Sequence, residues 1–469
     1  MADEFDYDLL CIGSGPAGQR AAVQAAKIGK RVAVVEKRAL VGGTSLATGT
    51  IPSKTFREAV MSFLPRNRAF ESVGGMGGPP QRPEMGELLR RVQSVIDCEA
   101  RVMTDQLRRN DVDIHPGEAS FVDPHRVRVV APDGQERTVG AAWILVAVGT
   151  VPARPTGVAE GTTRVITSDG VLGLGTLPRS LAVVGAGVIG VEYAAMFASL
   201  GVEVTLVDRR NRPLEFLDAE IVDELLHQMR SLGVTFRLGE DVESIDEVDS
   251  RQHRRVAVHL VSGKRIVADV ALYSIGRQGA TDSLNLAAAG LRADERGRLK
   301  VDERYRTAVP HIMAAGDVIG YPSLAATSAR QGRLAACHAF GLATGPMSDY
   351  FPVGIYAIPE ISMVGRTEEA LTESKVPYEV GVARYREIAR GQILGDDSGM
   401  FKMLFHRETR ELLGVHIIGT GATELLHIGQ AVMRLAGGLD YFLETVFNYP
   451  TLAECYKVAA FDALNKLDL

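Results

Sequence analysis

One pattern in the chain is written twice with the same spacing. An apolar run from Tyr7 to Ile12 enters Gly13-Ser14-Gly15-Pro16-Ala17-Gly18, an Ala-rich helical stretch to about Gly29, a second apolar run from Arg31 to Val35, and Glu36. Much later, Leu181 to Val184 enters Gly185-Ala186-Gly187-Val188-Ile189-Gly190, a helix to about Leu200, then Val202 to Val207 and Asp208. In both copies the acid falls 18 residues after the last glycine. The order strand, glycine turn, helix, strand, acid is what a dinucleotide demands. The first glycine permits the tight turn, the second lets the backbone approach a pyrophosphate, and the third allows the helix to pack closely on the strand. The helix N-terminus supplies a field for the phosphates, and the acid accepts hydrogen bonds from ribose hydroxyls. A single glycine turn of this type also occurs as an ordinary tight turn, but two complete copies with equal spacing point to two bound dinucleotides.

The rest of the composition narrows the class. With 469 residues, 46% hydrophobic and 23% charged, the chain is long enough for two to four packed domains and too apolar for disorder. A net charge of -6 and a pI near 6.0 argue against a nucleic-acid or anionic-membrane partner. The acidic start at Met1 to Tyr7 lacks the basic residues and cleavage site of a secretory signal, and no apolar stretch reaches the roughly 18 residues of a membrane span. A cytoplasmic protein is expected. Cys11, Cys98, Cys337 and Cys455 are scattered without a Cys-x-x-Cys or Cys/His cluster, which argues against a structural metal or a disulfide framework.

After Asp208 come Arg209, Arg210 and Arg212. Aspartate suits the free ribose diol of NAD, and arginines suit the 2′-phosphate of NADP, so the second unit is expected to accept both.

Ordered matches along nearly the whole chain carry a resemblance. Beyond the two glycine turns they are Gly42-Gly43-Thr44 through Pro52-Ser53-Lys54, Val148-Gly149-Thr150 with Pro152, Gly276-Arg277, Ala315-Gly316-Asp317, and Pro450-Thr451 with Glu454. The chain resembles the pyridine nucleotide-disulfide oxidoreductase family, and most of all its soluble transhydrogenase branch, through Gly49 to Lys54, Asp317 to Leu324, Gly354-Ile355-Tyr356 and Phe447 to Thr451. The resemblance implies an α/β, glutathione reductase-like fold with two Rossmann-like domains and a C-terminal α+β dimerisation domain. Residues 1–150 and 280–350 would hold FAD, residues 151–279 would hold NAD(P), and residues 351–469 would form the interface of a homodimer. Strands at Gly381 to Tyr385, Phe401 to His406 and Leu412 to Ile418, and a helix near Glu424 to Leu435, are expected in that last part. The implied FAD contacts are Gly13, Ser14, Gly15, Pro16, Ala17, Gly18, Glu36, Lys37, Gly43, Thr44, Gly117, Gly149, Gly316, Asp317, Leu324 and Ala325. Those for NAD(H) and NADP(H) are Gly185, Gly187, Val188, Ile189, Gly190, Asp208, Arg209, Arg210 and Gly276.

The departures from the family pattern are as informative. Where disulfide-reducing members carry Gly-Gly-Thr-Cys-x-x-x-Gly-Cys-x-Pro-Ser-Lys, this chain reads Gly42-Gly43-Thr44-Ser45-Leu46-Ala47-Thr48-Gly49-Thr50-Ile51-Pro52-Ser53-Lys54. Ser45 and Thr50 cannot cycle between dithiol and disulfide. The family's histidine before Pro-Thr-x-x-Glu is Tyr449 here, paired in the motif with Glu454, and a tyrosine with an ordinary pKa near 10 is a poor proton shuttle at neutral pH. Cys455 beside it is read as a buried structural cysteine. What the resemblance retains is Lys54 beside the flavin, paired with Glu192, while Val188 stands where a shielding tyrosine is common. The expected activity is an FAD-dependent transhydrogenase exchanging hydride between NADPH/NADP and NADH/NAD in a ping-pong cycle without a catalytic disulfide. The alternatives are an NAD(P)H:quinone (diaphorase-type) reductase and a flavin-based redox sensor.

Overall fold

The structure, a computed structural model, describes residues 5–64, 83–159, 162–250 and 253–467. The first glycine turn belongs to a seven-stranded sheet. Its parallel core runs Val112–Pro116, Val32–Glu36, Tyr7–Ile12, Glu136–Val146 and Ile312–Ala314. The outer end of the long strand Glu136–Val146 continues into an antiparallel set with Arg126–Val130 and Glu118–Asp123. Strands Tyr7–Ile12 and Val32–Glu36 are covered by helices on one face and by strands Glu118–Asp123 and Arg126–Val130 on the other, so they read as unbroken apolar runs rather than alternating ones. Ile312–Ala314 arrives from far along the chain and pairs in parallel with Glu136–Val146 in the first sheet.

The second glycine turn sits in a five-stranded parallel sheet ordered Thr235–Leu238, Glu203–Asp208, Ser180–Val184, Val270–Tyr273 and Val165–Ile166. A three-stranded antiparallel layer, Val242–Ser250, His253–Leu260 and Arg265–Ala268, covers one side. The two units are joined by a short antiparallel ribbon of Thr150–Pro152 and Arg277–Gly279.

From residue 353 on, five antiparallel strands run in the order Val353–Ile355, Ile361–Gly365, Leu412–Ile418, Met400–His406 and Tyr378–Arg384. The expected strands and helix occur within a few residues of their positions, the helix as Ala422–Arg434. A final helix, Glu454–Leu467, packs Cys455, Tyr456, Ala459 and Ala460 into the same core.

Two packing features position the site. In helix Met85–Arg108 the residues Met85, Leu88, Val92, Ile96 and Ala100 recur every three to four positions and form one buried stripe. That stripe packs with Phe56 and Val60 of helix Thr50–Phe63, whose first turn carries Ser53 and Lys54. Each fully buried aliphatic side chain there contributes on the order of 1.5–3 kcal/mol, so Lys54 stands on a well-anchored helix.

The other feature docks the second unit on the C-terminal sheet. The Lys402 ammonium, fully buried, donates to Asp218 at 3.0 Å, to Glu220 at 3.1 Å and to Glu368. Burial would pull the Lys402 pKa down, but Glu368 and Asp218 outweigh it and hold the amine protonated. These three carboxylates are spaced as metal ligands would be, and the lysine fills the position a cation would take. No helix among the described residues is long and apolar enough to cross a membrane.

Candidate functional site

A cavity of about 650 Å³ opens where the three parts meet. One end is built by the first glycine turn. Gly13 takes φ +105°, which an L side chain resists, and a Cβ on Gly18 would lie 1.9 Å from the Gly13 carbonyl oxygen. The helix Pro16–Ala26 therefore starts hard against the strand, with no side chain capping its N-terminus. Ser14 Oγ donates to Glu36 and accepts from Gly42 N at 2.9 Å, which ties the Gly42-Gly43-Thr44 segment to the turn. Glu36 also accepts from Ser14 N at 3.0 Å and Arg38 N at 2.8 Å, and no guanidinium pairs with it among the described residues.

The opposite wall carries Asp317 just after strand Ile312–Ala314, and the helix Ala325–Ala339 begins beyond it with apolar Leu324 at its N-cap. Among the described residues the Asp317 carboxylate has long hydrogen bonds alone, 3.3 Å from Ser328 and 3.5 Å from Thr150. Burial holds its carboxyl above the ordinary carboxylate range, against the pull of Arg277 and Ser328. These residues fit FAD: uncapped helix N-termini suit a pyrophosphate and a flavin ring edge, and two under-used carboxylates suit ribose and ribityl hydroxyls. Of the residues expected at FAD, Gly13, Ser14, Gly15, Pro16, Ala17, Glu36, Lys37, Gly43, Thr44, Gly117, Gly149, Gly316, Asp317, Leu324 and Ala325 all line this cavity; Gly18 lies behind the turn as packing.

At the junction with the second unit, Lys54 Nζ donates to both carboxylate oxygens of Glu192, at 2.9 and 2.8 Å, across 138 positions of sequence. Glu192 is buried, and its Oε1 also accepts from Tyr356 N at 2.9 Å. The Tyr356 ring lies 4.9 Å from Lys54 Nζ, so the ammonium is held by a carboxylate and an aromatic face together. Ser45 and Thr50 line the same cavity, and no cysteine does among the described residues. All four cysteines are free, and burial pushes the Cys455 thiol up to about 12, which makes it a poor nucleophile.

The second glycine turn repeats the first: Gly185 stands at φ +105°, and a Cβ on Gly190 would lie 1.9 Å from the Gly185 oxygen. Val188 and Ile189, at the start of helix Val188–Ser199, reach the shared cavity, whereas Gly185, Gly187 and Gly190 do not line it. Gly276 also lies outside, although its neighbour Arg277 lines the cavity and donates to Thr150 Oγ1 at 2.9 Å and Thr150 O at 2.8 Å. Asp208 and Arg210 lie outside the cavity, beside the second glycine turn, where Asp208 accepts from Ala186 N at 2.6 Å and pairs with Arg210, and Arg209 next to them is exposed. Arg212 turns away, donating to Ala219 O and pairing with Asp223 at 2.9 Å.

Residues 7–332 match the family described as pyridine nucleotide-disulphide oxidoreductase, and residues 351–460 match its dimerisation domain. The chain belongs to this family. Within it, the chain is 52% identical over 463 residues, 98% of each chain, to the soluble pyridine nucleotide transhydrogenase of Mycobacterium tuberculosis (strain ATCC 25177 / H37Ra). It is 45% identical over 468 residues, 99% of each chain, to the protein of the same name from Pseudomonas putida (strain W619). Among solved structures, the HOCl-induced flavoprotein disulfide reductase RclA from Escherichia coli superimposes with a TM-score of 0.87 at 27% identity, covering 97% of this chain and 99% of that one. LpdA from Mycobacterium tuberculosis gives 0.88 at 26%, with the same coverage. As a member of the pyridine nucleotide-disulphide oxidoreductases, the chain is an FAD-dependent oxidoreductase acting with nicotinamide nucleotides, and its fold is the glutathione reductase-like one.

The remaining family positions, Tyr449 and Glu454, do not line the cavity of this protomer. Tyr449 is 68% exposed, next to Val446 at 90%. Glu454 Oε2 is buried and has no hydrogen-bond partner among the described residues. Sequence reasoning missed Tyr356, Arg277 and Tyr193 as wall residues of the cavity. Tyr356 was visible only as part of a matching run, and nothing in its neighbourhood announces an approach to Lys54.

Proposed function

We propose that this protein is a transhydrogenase that moves hydride between NADPH/NADP and NADH/NAD in alternating half-reactions, as a homodimer in the cytoplasm. The observation that carries the reading is the junction itself: an FAD cradle and a nicotinamide-nucleotide helix share one cavity, and no sulfur lies between them among the described residues. When bound, FAD supplies a ring that accepts a hydride from one nicotinamide and gives it to another.

The protein's own residues would do the rest. Gly13 to Ala17, Glu36 and Asp317 would hold FAD, and the helix beginning at Leu324 would present its positive end to the side of the ring that gains charge. Lys54, locked by Glu192 and Tyr356, would place an ammonium at the wall where negative charge develops, with no reorganisation needed during the reaction. Val188, small and at the helix start, would leave the nicotinamide face open. With a single second glycine turn, the two nucleotides must occupy the same place in turn, which is the basis for a ping-pong cycle. The relatives named as soluble transhydrogenases and the match to a dimerisation domain support the same reading.

Anaerobic titration of the yellow protein with NADPH should bleach the flavin absorbance, and NAD added in excess should restore it. Initial rates with both nucleotides varied should give parallel double-reciprocal lines. Bleaching that a quinone reverses and NAD does not, or brisk reduction of a disulfide substrate, would overturn the proposal.

A further inference from the structure

Lys54 takes its place from a residue that belongs to another part of the molecule. Its ammonium meets the Tyr356 ring at 4.9 Å, and Tyr356 N donates at 2.9 Å to a Glu192 oxygen that Lys54 also uses. Tyr356 therefore touches both halves of the ion pair, one through its ring and one through its backbone. It lies just past Val353–Ile355, the edge strand of the C-terminal sheet. Beyond the end of an edge strand no ladder fixes the backbone, so other groups must do it.

Arg57 is such a group. It stands three residues after Lys54 on helix Thr50–Phe63, so the two side chains share a face. Arg57 Nε donates to Ala357 O at 2.9 Å, across 300 positions of sequence, and that carbonyl belongs to the residue right after Tyr356. Its Nη1 donates to Glu58 at 2.6 Å, and its Nη2 faces the buried Glu360 at 3.7 Å. Arg57 is itself buried and does not line the cavity.

We propose that Arg57 is a positioning residue for hydride transfer: its grip on Ala357 sets where Tyr356 stands, and Tyr356 in turn holds the Lys54 ammonium. The proposal rests on the reading of Lys54 as the group beside the reacting ring.

The chemistry of the position supports it. A buried guanidinium is costly unless its charge and hydrogen bonds are met, and an apolar residue would pack beside Phe56 and Val60 without that cost. Glu58 and Glu360 answer the charge, which leaves Nε for one backbone carbonyl. A charge-assisted bond from a planar donor fixes direction as well as distance. Lys54 and Arg57 are like charges one turn apart, and each is answered from a different part of the molecule. Glu192 of the second unit takes Lys54, and Glu360 of the C-terminal part takes Arg57. The helix is thus a strut with one cation seated in each neighbour. The Tyr356 ring is also flanked by Gly354, where an added Cβ would lie 3.3 Å from its Cε2, so it has little room to shift that way.

The test is a double-mutant cycle on the FAD-loaded enzyme, reading the anaerobic bleaching of the flavin by NADPH. Arg57→Gln should slow the limiting rate by about tenfold, less than the roughly 10²-fold of Lys54→Met, because it displaces the ammonium without removing it. FAD content and the NADPH concentration giving half the limiting rate should stay within about twofold of wild type, since only the chemical step is touched. Added to Tyr356→Leu or to Lys54→Met, Arg57→Gln should slow bleaching by less than about a further twofold, because these changes act through one contact. A merely structural role would lower FAD content or raise the NADPH requirement, and would slow the Lys54→Met enzyme as much as the wild type. That result, full multiplicative slowing in either double variant, or unchanged bleaching in Arg57→Gln would overturn the proposal. A Lys54→Met enzyme as fast as wild type would instead remove the reading of Lys54, and the proposal with it. If Arg57→Gln does not fold, Arg57→Lys goes through the same cycle. It keeps a cation opposite Glu360 but cannot serve Ala357, Glu58 and Glu360 from one plane, so a slowing of about threefold is expected, again silent with Lys54→Met. No slowing there would likewise overturn the proposal.

Discussion

The two glycine turns agree down to a backbone angle, with Gly13 and Gly185 both at φ +105° and the third glycine of each pressed to the same 1.9 Å limit. Their acids keep different company: Glu36 is held by backbone N–H groups and Ser14, while Asp208 is gripped by a guanidinium. Their supports differ too. The first helix, Pro16–Ala26, is buttressed within its own domain by Ala325–Ala339, where a Cβ on Gly332 would lie 2.0 Å from the Ala17 oxygen. The second unit leans on the C-terminal sheet through Asp218, Glu220 and Lys402. One turn geometry thus stands in two settings, with different partners on the acid and different supports behind the helix.

The largest effect should come from breaking the shared geometry in one unit at a time. Gly18→Val drives a side chain into the Gly13 carbonyl, so the purified protein should lose its FAD and its yellow colour. Gly190→Val should keep the colour and lose bleaching by NADPH, as read by flavin absorbance. If both variants lost FAD, the two units would not be independent.

Next in size is the Lys402 support of the second unit. Lys402→Met leaves Asp218 uncompensated in a buried place, and the expected cost is about 3–5 kcal/mol of stability, measured by denaturant unfolding of the FAD-loaded protein. At the junction between the units, Lys54→Met should slow NADPH-driven bleaching by about 10²-fold with FAD content unchanged. A rate within threefold of wild type would remove Lys54 from the chemistry.

The smallest effect tests the acids themselves. Burial raises the Asp208 pKa, but Arg210 and the Ala186 and Arg210 N–H groups outweigh it and hold the carboxyl below its ordinary value. A depressed carboxylate contributes stability that is fully present above its unfolded pKa, about 3.9, and is lost as pH falls through the folded value. Unfolding midpoints below about pH 4 should therefore fall less steeply in Asp208→Asn than in wild type, and equal slopes would mean that the ion pair adds nothing to the fold.

Both glycine turns, their strands and their acids were legible because each is a local demand: a φ no side chain tolerates, a contact no Cβ permits, an apolar run buried on both faces. The C-terminal strands were legible within a few residues for the same reason. The loss of the cysteines was plain from Ser45 and Thr50. The long helix Met85–Arg108 was not singled out, although its stripe of Met85, Leu88, Val92 and Ile96 is regular. Arg210 was seen as a cation near an acid, but not as the group that pairs with both of its carboxylate oxygens.

By itself the sequence determined that two dinucleotide units exist, where each one turns, and that no thiol pair stands at Ser45 and Thr50. Only the tertiary structure decided that Lys54 meets Glu192 and Tyr356, that Lys402 joins the second unit to the last sheet, and that Asp208 is paired with the Arg210 guanidinium while Glu36 is held by Ser14 and backbone N–H groups. The physical reason is range: backbone geometry is dictated by neighbours in the chain, whereas the partner of a charge is whichever group the packed fold brings within about 3 Å.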